Sequence, residues 1–124
     1  MLATYVLGHN FEGLFPNFTR NLAQKGAQIL VNLTNDSWFG TWAEPYQHGY
    51  MTLSRAIEVR RPLIRATNTG ITTAIYASGQ IQSFSPLHQE YLSHFEIPFY
   101  SSQEPTIFQG FGYYLLPLFL MIWL

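Results

Sequence analysis

An α/β fold built on parallel strands is predicted from three features of this 124-residue sequence. The chain opens with a short apolar run at residues 4–7 (TYVL). A helical stretch carrying Phe18 and Leu22 follows, and then a second apolar run at residues 27–33 (AQILVNL). Strand, short helix, strand reads as a βαβ unit, which implies parallel pairing. Both runs are largely apolar, as expected of buried strands. The length suffices for one small domain and not for two.

The first run leads into Gly8, His9 and Asn10, where a strand can end. Asn17 follows Pro16 and is placed to cap the first helix. Arg20, Asn21, Gln24 and Lys25 give that helix a polar side, and Gly26 ends it. Residues 34–45 (TNDSWFGTWAEP) form a loop dense in aromatic and small residues. Residues 46–61 are helical in pattern, with Met51, Leu53, Ala56 and Ile57 apolar and Arg55, Glu58, Arg60 and Arg61 between them. Arg55 and Glu58 are spaced to pair, and Pro62 stops the helix. Residues 63–67 and 71–77 read as strands joined by the turn-prone Asn68-Thr69-Gly70. Ser78-Gly79 marks another turn, and residues 80–84 and 91–97 read as further strands.

The last residues, 113–124 (YYLLPLFLMIWL), carry no charge. A membrane span needs about 20 apolar residues. The segment therefore reads as the start of a transmembrane helix, with the tyrosine pair and Trp123 suited to the interfaces. An apolar C-terminal strand or buried helix is the alternative.

Composition narrows the function. Charged residues make up 10% of the chain, against roughly 25% in a typical soluble domain. Aromatics reach 17%. Such a surface is expected to be covered by a missing domain, a partner or a bilayer. The net charge of -1 offers no basic excess for nucleic acid and no acidic tail. With no cysteine, the chain has no disulfide, zinc-thiolate site or thiol nucleophile. The opening MLATYVLGHN has no basic region and no long apolar core of the kind a signal peptide needs.

The densest group of chemistry-bearing residues is Asn35-Asp36-Ser37-Trp38-Phe39-Gly40, directly after a buried strand. Loops at strand C-termini are where α/β folds place their sites. Asp36 can accept hydrogen bonds or orient a neighbour, and Gly40 permits a tight turn beside two large rings. On a purely structural reading, Asp36 caps backbone N–H groups and Trp38 covers the core. His48, Arg55 and Arg65 are candidate polar contacts. Ser37, His48 and Asp36 supply the residue types of a hydrolase triad, but no nucleophile-elbow pattern surrounds Ser37.

Taken in order, Asn35 to Gly40, Pro45, Gln47-His48, Arg55-Ala56, Glu58, Arg60 or Arg61, and Arg65-Ala66-Thr67-Asn68 with Gly70 resemble the run that marks apolipoprotein N-acyltransferases. These are membrane enzymes with a nitrilase-like (carbon-nitrogen hydrolase) domain. Phe11-Glu12 with Pro16 resembles the segment just after that family's nucleophile. The resemblance implies a partial nitrilase-like αββα sandwich. It also implies acyl transfer through a cysteine thioester, from phospholipid to the diacylglyceryl-cysteine of an apolipoprotein, with a glutamate base and an oxyanion-stabilising lysine. No metal or organic cofactor is called for. The implied partners are phospholipid, the apolipoprotein and the membrane. The implied location is the bacterial inner membrane with the domain on the periplasmic side.

The chain departs from that pattern at the nucleophile. Asn10 stands where the family keeps cysteine, and it is expected to be inactive. Glu12 is the supporting carboxylate, and Phe11, Asn35, Asp36, Trp38, Phe39, Gly40, His48, Arg65 and Asn68 are expected to shape the site. Residues 1–100 are expected to form the C-terminal part of the domain, 101–112 a linker and 113–124 the start of the membrane helix. A missing N-terminal half would carry the base and the lysine, and its absence would leave sheet edges bare. A non-catalytic membrane-associated module that binds lipid or lipoprotein is the alternative.

Overall fold

The computed structural model describes residues 5–38, 40, 43–101 and 104–123, with side chains from Glu12 onward except Leu116. One sheet runs in the order β1 (Tyr5–His9), β2 (Ile29–Thr34), β3 (Leu63–Thr67), β4 (Thr73–Ile75). β1, β2 and β3 are parallel and β4 is antiparallel to β3. The expected βαβ unit is present: β1, a 3-10 turn (Asn10–Leu14), α1 (Pro16–Gln24) and β2.

Pro16, with its φ already fixed, begins α1. The N-cap is Phe15 and not Asn17, and no side chain caps it. Gly26 (φ 93°) ends the helix in a Schellman motif, with Gly26 N–H donating to the Ala23 carbonyl and Ala27 N–H to that of Leu22. The next helix, α2 (Glu44–Val59), stops before Pro62 is reached. Arg60 turns left-handed (φ 50°), and the N–H groups of Arg60 and Arg61 close the same motif onto Ile57 and Ala56. A non-glycine residue in that conformation costs about 1–2 kcal/mol.

Cross-strand register gathers Leu30, Leu63 and Ile75 in one row. With Ala23, Ala27, Ala56 and Val59 they form the core, so α1 and α2 cover the same face of the sheet. Leu33 lies on the other face and is 38% exposed, as no helix among the described residues covers it.

Downstream, two sequence expectations fail. Residues 80–84 contribute only an isolated bridge, Ile81 to Ile75, and residues 91–97 form no strand. Leu92 is 97% exposed, so alternation there serves no packed face. Trp38, which the purely structural reading put over the core, is 68% exposed.

A final helix, α3 (Ile107–Trp123), begins earlier than the expected Tyr113 and takes in much of the expected linker. Its start is a capping box: Gln109 N–H donates to Thr106 Oγ1 (3.1 Å) and Thr106 N–H to Gln109 Oε1 (2.9 Å). Thr106 Oγ1 also donates to the Glu58 carbonyl, fastening α3 to α2. From α1, Arg20 Nε donates to the Gln109 carbonyl (2.6 Å), and its guanidinium lies 4.4 Å from the centre of the Tyr113 ring. Beyond that clamp the helix projects, with Phe119, Met121, Ile122 and Trp123 exposed. No helix among the described residues is long and apolar enough to cross a membrane.

Candidate functional site

The parallel strands end together. His9 pairs with Leu33 and Leu33 with Ala66, so Asn10, the Asn35-Asp36 loop and Asn68 follow at one edge of the sheet. Beneath that edge lies a cross-strand row: Gly8, Asn32, Arg65 and Thr73. Arg65 is fully buried and must find its partners inside. One Nη donates to Asn32 Oδ1 (2.7 Å) and the other to Asp36 Oδ2 (2.7 Å). Its Nε has no partner among the described residues.

Asp36, 1% exposed, is the hub. Its Oδ1 faces His48 Nδ1 (3.0 Å) and accepts from Thr34 Oγ1 (3.3 Å). The same Nδ1 lies 3.1 Å from an Arg65 Nη. It cannot donate to one and accept from the other, and the carboxylate is the stronger acceptor, so we assign the proton to Nδ1. Burial by itself pushes the Asp36 carboxyl up. The hydrogen bond from His48 and the charge of Arg65 outweigh that and hold it below the ordinary carboxylate range. Burial pushes the Arg65 guanidinium down, against the opposing pull of Asp36.

The network fixes two loops. Asn68 Oδ1 accepts from the N–H of Asp36 (3.1 Å) and of Thr69 (2.9 Å), and Asn68 Nδ2 donates to Asn35 Oδ1 (2.7 Å). Gly70 is required by space: a Cβ there would collide with the Asp36 carboxylate. On the far side, Arg55 Nη1 donates to the Leu14 carbonyl (3.1 Å) and Arg55 Nη2 pairs with Glu58 Oε1 (2.7 Å), so α2 steadies the turn that follows Asn10.

The structure thus brings together Asn35, Asp36, His48, Arg65 and Asn68. The backbones of Asn10 and Phe11 stand at the same edge, in the 3-10 turn, and their side chains lie outside those described. Glu12 is exposed in that turn and Phe39 lies outside the described residues. Gly40 is exposed and has no left-handed backbone angle, so the expected tight turn does not require glycine there. Ser37 joins no triad; its backbone N–H donates to Asn35 Oδ1. Sequence reading missed Asn32, although an amide within an apolar strand signals a buried partner. It also missed the link from Arg55 to Leu14. No group of three or more metal-ligating side chains occurs among the described residues.

Chemically the cluster is a scaffold. Asp36 has both oxygens engaged and its basicity depressed, so it is a poor general base. What it does is tie the loop bearing Trp38 to β3 through Arg65, to α2 through His48 and to Asn68.

Carbon-nitrogen hydrolases as a family match residues 11–104, and this chain belongs to that family. The curated relatives it resembles within the family are apolipoprotein N-acyltransferases. That of Bdellovibrio bacteriovorus is 57% identical over 104 residues, covering 84% of this chain and 19% of the relative. That of Geobacter metallireducens is 52% identical over 80 residues, covering 64% and 15%. That of Rickettsia typhi is 37% identical over 110 residues, covering 87% and 22%. The chain therefore spans 15–22% of the length of these relatives. Among solved structures, a carbon-nitrogen hydrolase from Helicobacter pylori superposes with a TM-score of 0.60 at 18% identity, over 71% of this chain and 38% of that one. Nit3 of Saccharomyces cerevisiae, of the nitrilase superfamily, gives 0.60 at 18%, over 69% and 34%. These likenesses show a nitrilase-like α/β fold.

Proposed function

We propose that this chain is the C-terminal part of an apolipoprotein N-acyltransferase, the enzyme that moves an acyl chain from phospholipid to the α-amino group of an apolipoprotein's diacylglyceryl-cysteine. The 57% identity to the Bdellovibrio bacteriovorus enzyme carries this reading. The gathering of Asn10, Asp36 and Asn68 at one sheet edge, braced by Arg65, supports it.

In this reading a thiolate at position 10 attacks the acyl ester, the lysophospholipid leaves, and the amine then displaces the thiol. Here the position holds Asn10, whose amide nitrogen is delocalised and non-nucleophilic. Phe11 and Glu12 flank it, Glu12 as a supporting carboxylate. Asn35, Trp38, Phe39, Gly40 and His48 shape the acyl site, and the base and oxyanion lysine come from chain outside these residues. The bare face of the sheet takes the second sheet of the αββα sandwich. Asn10 by itself favours a second reading, a non-catalytic module that binds lipid or lipoprotein at the membrane.

Both readings place α3 in a bilayer. Its 17 residues carry no charge and expose apolar side chains along the projecting part. At about 1.5 Å per residue they reach about 25 Å, short of the roughly 30 Å hydrocarbon core. The helix is therefore read as one part of a span that anchors the domain on the periplasmic side of the bacterial inner membrane. Incubation with phospholipid labelled in its acyl chain tests the consequence of Asn10. No hydroxylamine-sensitive label is expected on this chain, and a labelled adduct on it overturns the assignment.

A further inference from the structure

At the opposite edge of the sheet, before the N-termini of β2 and β3, a cavity of about 570 Å³ opens; Gln24, Gln28, Arg61, Tyr100, Ser101 and Gln109 are among its walls. That volume lies within the usual range for small-ligand sites. A strand's length separates it from the Asp36 loop, about 20 Å, so it is not the acyl site.

Its unusual group is Arg61, only 6% exposed. Nε donates to the Ala27 carbonyl (2.8 Å) and one Nη to those of Val59 and Arg60 (3.3 Å each). These bonds satisfy donors and cap α2, whose C-terminus offers about half a negative charge. They supply no full counter-charge. No carboxylate pairs with Arg61 among the described residues, and burial pushes its guanidinium down with nothing opposing. The hydrogen bonds of Arg61 among the described residues come from Nε and that one Nη. No acid is among the residues that line this cavity, and Glu104 lines a neighbouring cleft with Arg60.

Arg20 repeats the pattern on the other side of Gln109. It is 8% exposed and, among the described residues, bonded to carbonyls and a ring. A chain of net charge -1 thus keeps two buried cations without acids at the root of its apolar helix. Planar guanidinium groups match phosphate oxygens, and Ser101 and Gln28 add neutral polar groups to the wall.

We propose that this cavity binds a phosphate group, that of an anionic lipid headgroup at the bilayer surface where α3 enters. The lipid as source rests on the proposed insertion of α3; the phosphate site does not. Bound there, the headgroup completes the charge of Arg61 and fixes how the domain sits on the membrane.

The test uses the full chain in neutral detergent. Inorganic phosphate and short-chain phosphatidylglycerol are each titrated, with short-chain phosphatidylcholine as the zwitterionic control, and binding is followed by calorimetry. Saturable binding of phosphate and of phosphatidylglycerol is expected. Ser101→Asp, which puts a carboxylate in the wall and leaves the bonds of Arg61 alone, should weaken both by at least about tenfold. Arg61→Gln should do the same, and Ser101→Asp decides the matter if Arg61→Gln does not fold. Phosphate binding without preference for phosphatidylglycerol over phosphatidylcholine upholds the site and overturns the lipid source. No saturable phosphate binding, or binding unchanged in Ser101→Asp, overturns the proposal.

Discussion

Arg65 holds a full charge with no access to solvent, and its partners sit on separate elements: Asn32 on β2 and Asp36 in the loop after it. Removing one member of a buried pair strands the other, which typically costs 3–5 kcal/mol. Arg65→Met is therefore expected to lower unfolding stability by about 3–5 kcal/mol in urea titration. Arg65→Met combined with Asp36→Asn should lose clearly less than the sum of the single losses, because no bare charge remains. Additive losses would mean that the pair is not coupled. Asp36 also sets a pH dependence. Its folded pKa is depressed, so its contribution is complete above the unfolded carboxylate pKa and is lost as pH falls through the folded one. Glu58 acts in the opposite sense: burial raises it against the pull of Arg55, so its contribution grows as pH falls. Comparing Asp36→Asn with the parent isolates the first effect. The parent's thermal midpoint should fall more steeply below the ordinary carboxylate range, and parallel curves would contradict the assignment. At this scale the sequence was partly legible. Asp36 and Asn68 stood out by their places after strands, His48 by its place early in a helix, and Arg65 by the family resemblance. Asn32 did not, since its partner lies 33 positions away.

Elements were legible where local pattern and pairing agree. β3 has the expected bounds because Pro62 and Asn68 bracket an apolar run that pairs on both sides. The run at 80–84 meets β4 only at the Ile81–Ile75 bridge, and the run at 91–97 forms no ladder; strand propensity without an extended partner makes no sheet. Helix α3 starts before its apolar run because Thr106 and Gln109 cap each other, a signature spelled out by Thr-x-x-Gln in the sequence. Thr106→Ala removes that cap and the bond to the Glu58 carbonyl. It is expected to cost about 1 kcal/mol and to speed amide exchange in the first turn of α3, leaving β2 and β3 protected. Unchanged exchange at Gln109 and Gly110 would show that the cap does not hold the helix.

Among the described residues, the molecule is a layer of helices on one face of a sheet, with Leu33 exposed on the other face and an apolar helix that leaves the body beyond Tyr113. The α/β class and the parallel order could be read from largely apolar runs. Low charge and high aromatic content announced surfaces awaiting cover, and composition could not say which surfaces. The central claim is that these residues form the acyltransferase scaffold and that Asn10 alone disables the nucleophile. The most direct measurement grafts residues 5–101 into the Bdellovibrio bacteriovorus relative in place of its matching segment, once with Asn10 and once with Asn10→Cys. Both chimeras are then assayed for a phospholipid-derived thioester and for acyl transfer to a diacylglyceryl peptide. The account predicts thioester and transfer in the Asn10→Cys chimera and neither with Asn10. A well-folded Asn10→Cys chimera that forms no thioester, or an Asn10 chimera that transfers acyl groups, would contradict it.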